Sequence, residues 1–146
     1  MDIDPETLAL KERYMLMIAA ILPRPIAWVS TVSPEGVANL APFSFFTGIG
    51  GNPMTLCFAP ANDRNGEKKD TLINIEATKQ FVVNIVNEAN AAKMNQTSAN
   101  YPYGVSEFEK AGLTPLPSKS VKPPRVAESP ASFECELFSI VRVGEG

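Results

Sequence analysis

Short apolar runs alternate with turn-forming clusters along the chain, the pattern of a small antiparallel β domain carrying a few helices. Leu10, Tyr14, Met17 and Ile18 recur near helical spacing, which predicts a helix within residues 6–20 that Pro23 and Pro25 stop. Ile26 to Val32 (IAWVSTV) is rich in β-branched and aromatic residues and reads as a strand. Ser33-Pro34-Glu35-Gly36 has turn chemistry, and Val37 to Leu40 returns as the second arm of a hairpin. Met54 to Ala59 (MTLCFA) and Phe81 to Val86 (FVVNIV) are two more apolar strands. Between them, Asp70 is a good N-cap for a helix from Thr71 to about Ala77, with Leu72 and Ile75 facing the core. Glu88 to Gln96 reads as helical, and Glu107 to Ala111 as a short helix closed by Gly112. Five prolines from Pro115 to Pro130 make the next stretch a loop. From Ser132 to Val143, Phe133, Cys135, Leu137, Ser139, Val141 and Val143 share one face, which predicts a long strand with a wetter reverse side. Regular βαβ alternation is missing, so the pattern favours a small antiparallel barrel with helices packed outside.

Composition narrows the chemistry. The 146 residues suit one domain with a real core. A net charge of −3 offers no basic face for a nucleic acid. The chain has no histidine, which removes Ser-His-Asp and Cys-His nucleophile systems and every His-ligated metal site. Cys57 and Cys135 lie far apart in apolar patterns and read as buried, reduced thiols. Tyr14 to Leu22 (YMLMIAAIL) is too short to span a bilayer and reads as a segment partly packed on the domain of a cytoplasmic protein. Gly48 to Gly51 does not open a helix after a strand, so it is not a dinucleotide fingerprint. If the chain is an enzyme, its hard chemistry belongs to a bound cofactor.

Three segments stand out together. They are Arg24-Pro25-Ile26-Ala27-Trp28-Val29-Ser30-Thr31, Asn39-Leu40-Ala41-Pro42-Phe43-Ser44-Phe45-Phe46, and Lys69-Asp70-Thr71 leading to Asn74 and the strand at Phe81. In order and composition they resemble the flavin reductase-like, FMN-binding split-barrel family, which includes flavoredoxin-type proteins. The resemblance runs from about Arg24 to Val143. It implies a single domain over 1–146, mainly β with short helices, built as an antiparallel split β-barrel. Family members continue further, with more barrel strands and a histidine-bearing segment. This chain stops at Gly146, so the expectation is a domain truncated at its C-terminal end and short of its last strands.

The resemblance also implies a site. Trp28, Ser30 and Thr31 would lie on a strand beside the cofactor, and Asn39, Ala41, Pro42, Ser44 and Phe45 would line the flavin ring or ribityl chain. Lys69 and Thr71 match the phosphate-binding part of the family, and Arg64 offers a further charge from the preceding loop. A helix start beside a lysine is a suitable anion site, and backbone N–H groups aimed at a reduced ring would stabilise its charge. The implied activity is an NAD(P)H-dependent flavin reductase using FMN, with NADH or NADPH as donor and hydride transfer to flavin N5. No side chain is obligatory for that chemistry. The implied assembly is a homodimer, with a partner oxygenase or an electron-transfer protein as acceptor. Two other readings stay open: an FMN-bound electron carrier reduced by a protein donor, and a non-catalytic split-barrel interaction domain.

Overall fold

The computed structural model describes residues 2–62 and 66–143. Helix α1 spans Leu10–Ala20 and is followed by β1 (Ala27–Val32), β2 (Ala38–Phe43), β3 (Phe46–Gly51) and β4 (Met54–Phe58). Helix α2 (Asp70–Thr78) leads into β5 (Gln80–Ile85), then α3 (Ala91–Gln96) and the single turn α4 (Glu107–Lys110). Strands β6 (Pro115–Leu116), β7 (Arg125–Val126) and β8 (Ser132–Glu136) follow.

The principal sheet is antiparallel with strand order β2-β1-β5-β8. Its register sets Ala27 opposite Phe43 and Ile85, and Val29 opposite Ala41 and Val83. The β1–β2 hairpin turns at Ser33 to Gly36, where Gly36 takes φ +91° and its N–H donates to the Ser33 carbonyl at 2.9 Å. Only glycine adopts that φ without strain, so the turn chemistry fixes the register.

Both faces of the sheet are covered. On one, Ala27, Val29, Phe43, Phe81 and Val83 pack with Ile75 of α2 and with Phe46, Leu56 and Phe58 of the β3–β4 hairpin. On the other, Trp28 and Leu40 pack with Phe108, Ala111, Leu113 and Val126. Strand β1 is therefore buried on both sides for most of its length. Among the described residues the strands do not close into a barrel; they form this sheet and two small hairpins.

Several expectations need correction. The glycine-rich stretch is strand β3, paired with β4 from Phe46↔Phe58 to Gly51↔Met54; a partner strand supplies the order that its sequence lacks. The last strand ends at Glu136, because β5 runs out of pairing positions at Gln80. Beyond it, Lys79 caps α2 in the left-handed conformation (φ 61°) and turns the chain away. Helix α2 starts one residue early, with Lys69 rather than Asp70 at the N-cap. Helix α1 buries no residue, although Leu10, Tyr14, Met15 and Met17 are apolar. Cys57 is exposed, because β4 turns Leu56 and Phe58 to the core and Cys57 away from it. Both cysteines are free thiols, as the sequence suggests. No helix among the described residues is long and apolar enough to cross a membrane.

Phe108 is 2% exposed and fills the second core. Phe108→Ala should lower unfolding free energy by about 3–5 kcal/mol in urea denaturation. A loss of under about 1 kcal/mol would mean that α4 is not packed as described.

Candidate functional site

Where β2 passes into β3, the chain leaves the sheet and opens an apolar cleft of about 520 Å³. Three segments wall it: Ile21 with Pro23 to Pro25, Ser44 to Thr47, and Cys57 to Ala59. Their local sequences explain the shape. Pro23 and Pro25 keep the α1–β1 connection extended, and the β3–β4 pairing brings Phe46 beside Phe58. Tyr14 of α1 meets the Phe45 ring edge-on, with centroids 6.1 Å apart. Arg24 Nη1 donates to the Ile18 and Ile21 carbonyls at the end of α1, which holds a guanidinium in the wall. An apolar slot with a few fixed polar groups is the usual form of a small-molecule site.

A second assembly lies across β2. Asn39 of β2 and Thr31 of β1 pair in register and meet the first turns of α2. Thr71 Oγ1 donates to Asn39 Oδ1 at 3.0 Å, and Thr31 Oγ1 donates to the same oxygen at 3.3 Å. Asn74 Nδ2 donates to Thr31 Oγ1 at 3.0 Å, and the Tyr103 hydroxyl donates to Asn74 Oδ1 at 3.4 Å. On its other side, Asn39 Nδ2 donates to both carboxylate oxygens of Glu107 at 3.0 Å, and the Leu40 N–H donates to Glu107 Oε2 at 2.8 Å. Glu107 is 5% exposed. Burial pushes its carboxyl above the ordinary range, and the charge of Asp70 adds to this, against the pull of the Leu40 and Asn39 bonds. Burial also raises Asp70.

The residues singled out in the sequence divide between these places. Ser44 and Phe45 line the cleft. Lys69 is not in the cleft lining; its Nζ lies 5.6 Å from the centroid of the Phe43 ring. Ala41 packs at the edge of the first core, and Pro42 lies opposite Trp28 in the β1–β2 register. Thr31, Asn39 and Thr71 are buried and bonded to one another. Trp28 and Ser30 face the second core. There Trp28 Nε1 donates to Thr97 Oγ1 at 2.9 Å, and Ser30 Oγ donates to the Pro124 carbonyl. Arg64 lies outside the described residues. Sequence reasoning missed Glu107. Following Ser106 at the start of a short helix, it looks like an ordinary solvated acid.

The comparisons identify the family to which this fold and cleft belong. Residues 19–146 match the Flavin reductase like domain, and the chain belongs to that family. It is 48% identical over 130 residues to an uncharacterized protein of Aquifex aeolicus, covering 89% of this chain and 66% of that protein. Nitrilotriacetate monooxygenase component B from Bacillus cereus superposes with a TM-score of 0.94 at 38% identity, over 99% of this chain and 71% of that one. A split-barrel protein from Shewanella frigidimarina superposes with a TM-score of 0.83 at 26% identity, over 99% and 72%. The chain spans 55% to 69% of the length of five curated relatives that it matches. Family membership makes it a flavin reductase-like domain.

The raised carboxyl of Glu107 has a consequence for stability. Above the ordinary value of 4.5 the folded chain holds a proton that the unfolded chain has lost, so this contribution is complete below 4.5 and fades as pH rises. Relative to Glu107→Gln, the wild type should lose thermal stability as pH climbs through and beyond that value. A constant melting-temperature difference over the range would show that the carboxyl titrates normally.

Proposed function

We propose that the chain binds FMN with its ring in the cleft at Ser44 to Thr47 and its phosphate toward Lys69, and acts as an NAD(P)H-dependent flavin reductase. The observation that carries this reading is the cleft itself. Its walls are apolar and partly aromatic (Phe45, Phe46, Phe58), and they include Ser44 and one cation, Arg24. That lining fits a planar ring with an apolar body and a polar edge. Ser44 supplies a hydroxyl for the edge. Arg24 brings positive charge to the wall of a site where reduction adds negative charge.

For the phosphate end we take Lys69. Ala59 lines the cleft, and the segment after it leads to Lys69 at the N-cap of α2. Lys69 supplies a full charge beside the first-turn N–H groups, and Arg64 lies on the same connection. Thr71 turns its hydroxyl inward to Asn39, so its part is to hold the helix. A site built on Lys69 and one helix start suits a single phosphate, which favours FMN over FAD. When bound, the flavin supplies hydride acceptance. The chain's residues bind it, orient it and keep one face open to a nicotinamide donor.

Two further parts of the reading rest on surface and similarity. Apolar side chains on α1 and at Phe138, Val141 and Val143 are exposed, an arrangement that suits burial against a second copy in a homodimer. Similarity to a monooxygenase component B supports delivery of reduced flavin to a partner oxygenase.

Absorbance titration with FMN, followed by anaerobic NADH and NADPH, tests the proposal. The expected result is saturable binding and rapid bleaching, in a species that sediments as a dimer. Lys69→Ala should weaken FMN about tenfold through loss of a charge-assisted bond. Binding with no bleaching would make the protein a carrier reduced by a protein donor. No binding by folded protein would make it an interaction domain.

A further inference from the structure

We infer that Glu107 is a positioning residue for the phosphate end of the flavin site: it orients the Asn39 carboxamide and, through it, the Thr71 hydroxyl and the first turn of α2. The inference rests on the FMN site proposed at Lys69 and concerns how that end is held.

An asparagine amide is ambivalent, with an acceptor on one side and donors on the other. A carboxylate offers acceptors only. Glu107 places both oxygens 3.0 Å from Asn39 Nδ2 and one of them 2.8 Å from the Leu40 N–H. The amide must therefore turn its NH₂ to Glu107 and its oxygen to α2. There Oδ1 accepts from Thr71 and Thr31 together. Asn74, three residues further along α2, closes a second tie to Thr31. The loop that delivers Glu107 also delivers Tyr103, whose hydroxyl satisfies Asn74 Oδ1. Helix α2 is thus fastened to the sheet at Thr71 and Asn74 by bonds whose direction Glu107 sets. Lys69 stands two residues before Thr71 at the N-cap. Its ammonium and the neighbouring N–H groups move with that turn.

Glutamine at 107 would bring an NH₂ into a place that already holds two donors, Leu40 N–H and Asn39 Nδ2. Even with its oxygen accepting from both, as Glu107 Oε2 does, its NH₂ takes the place of Oε1 and faces Asn39 Nδ2 donor to donor, so Asn39 either draws back or flips and presents NH₂ to the threonine hydroxyls. Both outcomes displace the first turn of α2 and leave the cleft walls in place. The effect should therefore fall on the phosphate and spare the ring. A carboxylate serving stability alone would affect every flavin equally.

The test compares FMN with riboflavin, which lacks the phosphate, by quenching of flavin fluorescence in wild type and Glu107→Gln. The expected result is FMN affinity lower by about tenfold with riboflavin affinity unchanged. Should Glu107→Gln fail to fold, the double variant Asn39→Leu/Glu107→Met removes the buried polar pair together, and the same selective loss is expected. Equal losses for both flavins, or undiminished FMN affinity in a folded variant, would overturn the inference while the flavin site stands. A folded wild type that binds neither flavin would overturn the site and the inference with it.

Discussion

Strand β1 is covered by apolar layers on both faces, and this constraint organises the rest of the molecule. Ala27 to Thr31 are fully buried, so their polar atoms must find partners inside. Ser30 and the Trp28 carbonyl are met by Asn84 Nδ2, at 3.2 Å and 3.0 Å. Asn84 Oδ1 in turn accepts from the Val126 N–H at 2.9 Å and Ser132 Oγ at 2.8 Å. One buried amide thereby joins β1, β5, β7 and β8. Thr31 on the opposite face enters the Asn39, Thr71 and Asn74 set and joins β1 to α2. Apolar area drives the layers together, while these two amides decide which helix and which strand sit where.

The candidate site follows from what that rigid sheet leaves free. Strand β2 is an edge strand of the sheet, and immediately past Phe43 the chain departs to build the cleft. Phe43 belongs to both regions: its ring is in the first core and under the Lys69 ammonium. The apolar cleft that begins at Ser44 and the Lys69 charge over Phe43 thus both adjoin the end of one strand. A site set on a strand and a helix start, each held by buried hydrogen bonds, keeps its geometry better than one set on loops alone.

Much of the frame is legible in the sequence, because its signals are local. IAWVSTV and FVVNIV declare β1 and β5 by their β-branched content, Ser33 to Gly36 declares the hairpin turn, and Ile75 orients α2, whereas Leu72 stays outside the core. The cleft residues Ser44 and Phe45 and the charge at Lys69 are recognisable from the family pattern. Other features depend on partners that one sequence does not reveal. The glycines of β3 are ordered by β4, and the period-two run after Glu136 pairs with no strand among the described residues. Apolar α1 looks like a packed segment until its surroundings are known. Glu107 gives no local sign of its burial, since its partners Asn39 and Leu40 lie more than sixty residues earlier.

The central claim is that the flavin ring occupies the cleft walled by residues 44–47 and 57–59, and Cys57 offers a direct reporter of it. Its thiol is exposed in the cleft wall, whereas burial pushes Cys135 up to about 11 and keeps it unreactive. The rate of Cys57 modification by a thiol reagent should be measured with and without saturating FMN. The account predicts that FMN slows the reaction strongly. An unchanged rate, with FMN demonstrably bound, would place the ring elsewhere and contradict it.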